Sequence, residues 1–209
     1  MTTLATVTLI YHLASRLAYV IGVGWAMHRQ DRSGYFTRRY GGGEAGFRAF
    51  RRRASLIMNN DGLSFIALCV VSMGTLSLGI PAAWRVAVGA VLILIGVLTK
   101  LWARATLGAD AYYWRNFFTD SPAPAVVRSG PYRFLANPMY TVGYLQTYGL
   151  AFVTGSLPGL IAAAFDQSAI LGFHRLVERP HFERYRASIR RPDRSGAPPP
   201  RVPRLDPGR

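Results

Sequence analysis

The chain has 209 residues, of which 50% are hydrophobic and 17% are charged, and its formal net charge is +15. Soluble basic proteins of this size are seldom so apolar, so the composition favours a membrane protein over a soluble nucleic-acid-binding domain. The single cysteine, Cys69, lies in an apolar run and excludes an internal disulfide. The four histidines do not fall at metal-ligand spacings, so we predict no metal site.

Five apolar stretches predict membrane-spanning helices, at residues 4–27, 63–80, 82–103, 138–153 and 159–177. A span of a ~30 Å hydrocarbon core takes about 20 residues at 1.5 Å per residue, so the fourth stretch is short. The turn TGSLPG joins the last two stretches into a predicted helical hairpin. The predicted fold is therefore an all-α polytopic membrane protein with about five transmembrane helices and no soluble Rossmann domain.

Arginine is concentrated in every second connection between these stretches. Residues 28–55 hold eight arginines, whereas the connection around Pro81 has only Arg85 nearby. The positive-inside rule then places the N-terminus outside and the C-terminus in the cytosol. Lys100 is the only lysine, a bias typical of a GC-rich genome, so we expect a bacterial inner membrane. These charges orient the protein and contact anionic lipid, and we predict no nucleic-acid partner.

The chain is predicted to form a single integral-membrane domain over residues 1–190, followed by a tail over residues 191–209. The tail is rich in proline and arginine and has too few apolar residues to fold alone. The predicted topology brings residues 104–137 and 178–190 together at the cytosolic boundary. We expect the functional site there, and the sequence does not indicate an oligomeric state.

Two charged residues lie near the middle of predicted spans, Arg16 in the first and Asp166 in the last. Charges at bilayer depth cost ~3 kcal/mol on insertion scales and usually face the protein interior. His12 lies four residues before Arg16 and shares its helix face. We predict that this face points inward, with Arg16 and Asp166 as partners. The alternative is a shifted first span in which Arg16 reaches the membrane surface.

The stretch GPYRFLANPMY precedes the predicted hairpin. Gly130 and Pro131 indicate a turn, and Asn137 followed by Pro138 is typical of a helix start, with asparagine as N-cap. Such a helix start offers unpaired N–H groups to a carboxylate. The alternative interpretation is a capped helix flanked by tyrosines at the membrane interface.

A second polar segment follows the hairpin, in the sequence FHRLVERPHFERYRASIRR. Arg175 and Glu178 are three residues apart at the inner end of the last span, and Pro180 predicts a break in the helix. Read alone, this segment indicates a solvated amphipathic helix with a local ion pair.

Taken together, the two segments resemble the superfamily of isoprenylcysteine carboxyl methyltransferases and phospholipid N-methyltransferases. The residues concerned are Leu107 and Gly108, VRSGPYRFLANPMYTVG from Val127 to Gly143, Glu178, Tyr185, and RVPR from Arg201. The resemblance covers roughly residues 100–204. It implies methyl transfer dependent on S-adenosylmethionine at the cytosolic membrane face, to a lipophilic substrate that enters from the bilayer.

The resemblance also implies roles for individual residues. It places Arg175 at the substrate, as the candidate catalytic residue. It implies contacts to S-adenosylmethionine from eight residues: Val126, Val127, Gly130, Tyr132, Asn137, Pro138, Tyr140 and Glu178. The expected substrate is an isoprenyl or lipid-linked carboxylate, or a lipid amine.

Three positions depart from the pattern of the superfamily. Ala136 replaces a usual arginine, Arg179 replaces the second residue of a usual Glu-Glu pair, and a Phe-Gly before Tyr185 is missing. These departures support an alternative function, in which a non-catalytic membrane protein keeps the methyltransferase fold as a lipid-binding or assembly module.

Overall fold

The structure is a computed structural model that describes residues 2–108, 110–119 and 127–190. These residues form helices and turns without a strand, so the chain is an all-α polytopic membrane protein, as predicted. The predicted tail at 191–209 and the predicted site residue Val126 lie outside the described residues.

Three helices of the described residues are long and apolar enough to cross a membrane. They are α1 (Thr3–Ser33), α3 (Gly43–Val71) and α4 (Ala82–Leu107), and the short α2 (Tyr35–Arg39) joins the first two. The first and third helices are much longer than the predicted spans 4–27 and 63–80, so the basic segment 28–55 is largely helical. At 1.5 Å per residue each exceeds a ~30 Å hydrocarbon core and projects beyond it.

Aromatic packing explains why this basic segment folds as helix. Phe36 on α2 and Phe47 and Phe50 on α3 are buried, with Phe118 packed against all three rings. The cluster also includes residues of α1 and of α6 and α7, the helices defined below. Burying such rings contributes about 1.5–3 kcal/mol each, which tightens the helices around this end of the bundle.

The predicted fourth span does not begin at Asn137 and Pro138. Helix α5 covers Leu145–Thr154, only 10 residues, and a 3-10 turn at Val142–Tyr144 precedes it. Residues 138–141 turn instead, because the Gly143 N–H donates to the Pro138 carbonyl at 2.8 Å. The predicted N-cap was therefore wrong, and α5, at about 15 Å, is shorter than the predicted span.

The tip of the hairpin lies against the connection between α3 and α4. The N–H groups of Gly74 and Leu76 donate to the carbonyls of Thr154 and Gly155, at 3.0 and 2.7 Å. These bonds explain why α3 ends at Val71 and not at residue 80 as predicted. The hairpin is short, but it reaches the same end of the bundle as residues 72–81.

The last part of the described chain is one continuous helical rod. Helix α6 (Leu157–Phe173) passes into a π-helical turn at His174–Glu178 and then into α7 (Arg179–Arg190). The predicted break at Pro180 was wrong. This proline lies in the first turn of α7, directly after the π turn, where a missing N–H is tolerated.

A charged cluster at the centre of the bundle confirms the predicted partnership of Arg16 and Asp166. The Arg16 Nη2 lies 2.8 Å from Asp166 Oδ2, and both side chains are buried. His12 Nε2 lies 3.2 Å from Asp166 Oδ1. The prediction missed Asp61, whose Oδ2 lies 2.7 Å from the same arginine nitrogen. This cluster ties α1 to α3 and α6.

Candidate active site at Glu178

Three side chains from separate parts of the chain converge on the carboxylate of Glu178. The Trp114 Nε1–H and the Tyr140 hydroxyl both donate to Oε1, the latter at 2.6 Å. His174 Nδ1 lies 2.6 Å from Oε2. Glu178 is only 4% exposed, so it is no member of a solvated local ion pair with Arg175. A buried carboxylate with several donors is a typical functional-site arrangement.

Local backbone geometry aims these groups at one point. The π turn widens the helix over residues 174–178 and presents His174 and Glu178 to the same side. Trp114 lies between two 3-10 turns with φ of +57°, in the left-handed region that costs a non-glycine residue about 1 kcal/mol or more. Both π turns and such strained residues are frequent at functional sites.

A small cavity of about 40 Å³ adjoins Glu178. Of the predicted cofactor-binding residues, Tyr132, Asn137, Tyr140 and Glu178 line it. The Tyr132 hydroxyl is buried without a hydrogen-bond partner among the described residues. A buried orphan hydroxyl is costly, so its position next to a cavity indicates a ligand. Burial and the nearby Glu178 raise the pKa of both tyrosines, so they remain hydroxyl donors at neutral pH.

The other predicted site residues within the described part of the chain do not line this cavity. Gly130 has φ of +54° and lies so close to the end of α4 that a Cβ would fall 2.2 Å from Thr106 Oγ1. Pro138 is buried and Val127 is half-buried. Arg175 is exposed on the outer side of the π turn and lines neither this cavity nor the chamber described next. Its predicted role stays a prediction.

Two partners of Glu178, His174 and Trp114, were not predicted from the sequence. His174 lies four residues before Glu178, so helical spacing alone was sufficient to pair them. Trp114 lies 64 residues away in sequence, and no local signal links it to Glu178. Two of the three departures are at or beside the site: Ala136 lines the small cavity, and Arg179, the residue after Glu178, pairs with Glu183 at 2.8 Å on the surface.

A much larger chamber of about 450 Å³ lies between α1, α3, α4 and α5. Its lining includes Arg16, Asp61 and Asp166 of the charged cluster, together with Lys100 on α4. Met139 and Tyr140 line both this chamber and the small cavity, and form the wall between them.

The chamber is open to the side of the bundle. Ile66 on α3 and Val97 on α4 line it and are 49% and 37% exposed. Both helices are long and apolar enough to cross a membrane, so this exposed part of the chamber's lining lies on candidate membrane-spanning helices.

The profile of the family described as "Phospholipid methyltransferase" matches residues 84–187, which include both cavities' shared wall and Glu178. Proteins named phosphatidylethanolamine N-methyltransferase are similar over most of this chain. The protein from Phaeosphaeria nodorum is 31% identical over 180 residues, which cover 81% of this chain and 19% of its own. The protein from Coccidioides posadasii is 30% identical over 188 residues, which cover 84% of this chain and 19% of its own.

The similarity extends to yeast but is partial in every case. The protein from Saccharomyces cerevisiae is 31% identical over 135 residues, 65% of this chain and 15% of its own. This chain thus spans about a fifth or less of the length of these curated relatives, and no solved structure matches it significantly. The relatives are fungal, so the bacterial inner membrane stays a prediction. By these matches and its helical membrane fold, the chain belongs to the superfamily of phospholipid N-methyltransferases and isoprenylcysteine carboxyl methyltransferases.

Proposed function

We propose that this protein is a membrane-embedded methyltransferase that moves a methyl group from S-adenosylmethionine to the amine of a membrane lipid. The wall formed by Met139 and Tyr140 supports this proposal most directly. On one side of this wall lies the small cavity at Glu178, called the Glu178 pocket from here on. On the other side lies the large chamber, whose side opening we place against the bilayer. Two such compartments suit a polar methyl donor and a lipid acceptor that must meet at one point.

The chemistry of the side chains around the small cavity fits S-adenosylmethionine. The Glu178 carboxylate suits a ribose hydroxyl or an ammonium group, and the unpartnered Tyr132 hydroxyl can donate to a carboxylate or a ring nitrogen. The rings of Tyr140 and Trp114 suit an adenine or a sulfonium. The volume is smaller than the ~300 Å³ of ordinary ligand sites. Binding therefore requires these side chains to separate, and Glu178 to exchange protein donors for cofactor donors.

The other predicted site residues keep the roles that the resemblance to the superfamily implies. We keep Val126, Val127, Gly130, Asn137 and Pro138 as cofactor-binding residues, and Arg175 as a substrate residue, on the resemblance alone. The helix start expected at Asn137 is absent, so a carboxylate there meets the turn at 138–141 and not a helix end. Asn137 still lines the cavity and can donate from its amide.

The reaction class needs no covalent enzyme intermediate. The lone pair of the lipid nitrogen forms the new N–C bond while the C–S bond breaks and its electrons stay on sulfur, which becomes a neutral thioether. The nitrogen must have lost a proton before it attacks, and the product is a methylated ammonium. The protein's part is to hold donor and acceptor in line across the Tyr140 wall and to exclude water.

A lipid amine is the acceptor that we propose, in place of a lipid-linked carboxylate. The relatives are named as phosphatidylethanolamine N-methyltransferases, and the chamber's side opening admits a molecule with long acyl chains. We place the reaction at the cytosolic face, because the Glu178 pocket lies at the arginine-rich end of the bundle.

Calorimetry of the detergent-solubilised protein with S-adenosylmethionine tests the proposal. We expect saturable binding by the parent. Because a charged hydrogen-bond acceptor contributes about 1.5–3 kcal/mol, Glu178→Gln should weaken binding by roughly tenfold or more. Glu183→Gln is the matched control, since Glu183 is an exposed glutamate five residues later on the same rod. Its binding should equal that of the parent.

Transfer of a labelled methyl group identifies the acceptor. The protein is incubated with labelled S-adenosylmethionine and vesicles that contain either phosphatidylethanolamine or a lipid carboxylate. Label in the amine lipid supports the proposal, and label only in the carboxylate lipid contradicts its acceptor. A parent protein that binds no S-adenosylmethionine would instead favour the non-catalytic module, for which the replacements at Ala136 and Arg179 already argue.

A further inference from the structure

We propose that Lys100 binds the phosphate of a phospholipid head group inside the large chamber. The proposed function supplies only the idea that the acceptor is a lipid, and Lys100 adds which lipids are accepted: those with a phosphate next to the amine. The assignment follows from the place of this lysine in the bundle, its lack of a counter-ion and the shape of the backbone around it.

Lys100 lies on the inward face of α4. The buried residues of this helix are Gly89, Gly96 and Ala103, which recur at intervals of seven residues, and Lys100 falls four residues after Gly96 on the same face. Apolar residues on the opposite face, such as Leu94 and Leu98, are exposed on the outside of the bundle. A cation on the inner face of an apolar helix is costly, so it indicates a functional partner.

No such partner exists within the described part of the chain. None of its carboxylates lies within salt-bridge distance of the Lys100 ammonium, whose closest assigned contact is a cation–π approach to the Tyr144 ring at 5.1 Å. The other cation of the chamber, Arg16, is held by both Asp61 and Asp166. Lys100 is therefore the cation of the chamber that is available to an incoming anion.

The backbone opposite Lys100 is shaped to let its side chain through. A Cβ on Gly143 would lie 2.9 Å from Lys100 Cγ and 3.2 Å from its Cε. A larger residue at 143 would displace the lysine stem, so the glycine fixes where the ammonium emerges. Of the 25 lysine and arginine residues in the chain, all except Lys100 are arginine. Position 100 is therefore the place where the compact ammonium of lysine is used.

The position relative to Tyr140 fits a phospholipid that bears an amine. Gly143, against which Lys100 packs, lies three residues after Tyr140, the residue that separates the chamber from the Glu178 pocket. In an ethanolamine head group only two carbons separate the amine nitrogen from the phosphate ester oxygen. An amine presented at Tyr140 thus brings its phosphate into the same chamber as the Lys100 ammonium.

Lipid binding without any methyl donor tests this inference. The detergent-solubilised protein is titrated with short-chain phosphatidylethanolamine, with a primary amine that bears the same two chains but no phosphate, and with inorganic phosphate. The parent should bind the phospholipid roughly tenfold or more tightly than the phosphate-free amine, since hydrogen bonds to charged groups are of that strength. Lys100→Met should remove this difference, and Lys100→Arg should restore part of it.

Arg104→Met is the matched control, because Arg104 is an exposed cation one turn further along α4 that does not line the chamber. It should bind both lipids like the parent. Lys100→Met should also keep its thermal midpoint or raise it, since an unpaired cation is removed.

Three results would overturn the inference. The Lys100→Met variant could still prefer the phospholipid to the phosphate-free amine as the parent does, or it could lose affinity for both lipids equally. Inorganic phosphate could also bind the parent as tightly as the phospholipid does. Failure of the proposed function is separate, because it shows as absent S-adenosylmethionine binding, which Lys100→Met should not change.

Discussion

At the scale of single residues, Asp166 determines the stability of the buried charged cluster. Its carboxylate is fully buried, pairs with Arg16 through Oδ2, and has its Oδ1 3.2 Å from His12 Nε2. We expect Asp166→Ala to lower the free energy of unfolding by about 3–5 kcal/mol, because a buried cation is left with half its compensation. Asp166→Asn should cost less, since an amide oxygen still accepts from Arg16. Denaturant titration in mixed micelles, followed by circular dichroism, measures both.

Asp110→Ala is the control for burial. Asp110 pairs with Arg51 at 2.7 Å, almost the distance of the buried pair, but both side chains are over a third exposed. Exposed pairs contribute about 0–1 kcal/mol. Equal losses for the two alanine variants would show that the central cluster is no more than an ordinary ion pair.

The physical cost of charge in a membrane explains which residues were predictable. Arg16 and Asp166 lie in the middle of apolar stretches. The free-energy cost of a charged side chain at bilayer depth alone predicts that the two face each other. Asp61 follows Asn59 and Asn60, before the predicted span 63–80, and so looked like part of a polar boundary. Because α3 begins at Gly43, Asp61 lies well inside this helix and not at its start.

At the scale of the helix, α4 and α5 approach so closely that their backbones touch. A Cβ on Gly149 would lie 2.5 Å from the Gly89 carbonyl oxygen, and one on Gly89 would lie 2.7 Å from that of Gly149. Small residues at such crossings are the usual device of membrane helices. We expect Gly149→Ala to destabilise the protein by about 1–3 kcal/mol, because neither backbone can yield without moving its helix. Thermal unfolding in detergent measures the loss.

Gly172→Ala in α6 separates this packing effect from helix propensity. Nothing lies within 4 Å of a Cβ at residue 172. Alanine should therefore stabilise α6 by roughly 0.5–1 kcal/mol, the usual difference between these residues in a helix. If Gly149→Ala also stabilised the protein, α4 and α5 would not be packed as described.

Local signals located the hairpin but not the start of α5. Asn137 and Pro138 have the chemistry of a helix start. However, Gly143 packs against the Lys100 side chain, and the backbone forms a 3-10 turn at Val142–Tyr144 before α5 begins. Likewise, the arginines of 28–55 indicated a loop, whereas Phe36, Phe47 and Phe50 made it helical through contacts with residues far away in sequence. In both places the structure differs from the prediction because tertiary packing overrides the local preference of the sequence.

At the scale of the whole molecule, the fold places two different environments on either side of one residue. The chamber lies among α1, α3, α4 and α5, at the depth of the charged cluster, whereas the Glu178 pocket lies at the end where α6 passes into α7. Tyr140 belongs to the turn between α4 and α5 and faces both. The order of the helices, more than any motif, determines that the two cavities adjoin.

The orientation of this arrangement in the membrane is the last prediction. The arginine-rich end of the bundle should face the cytosol, and the connection at residues 72–81 should lie outside. In a Cys69→Ala background, cysteine is introduced at two exposed positions, by Ser77→Cys and by Arg39→Cys. A membrane-impermeant maleimide should label residue 77 in intact cells, and residue 39 only after permeabilisation. The reverse pattern would place the Glu178 pocket outside, away from the cytosolic supply of S-adenosylmethionine that the proposed function requires.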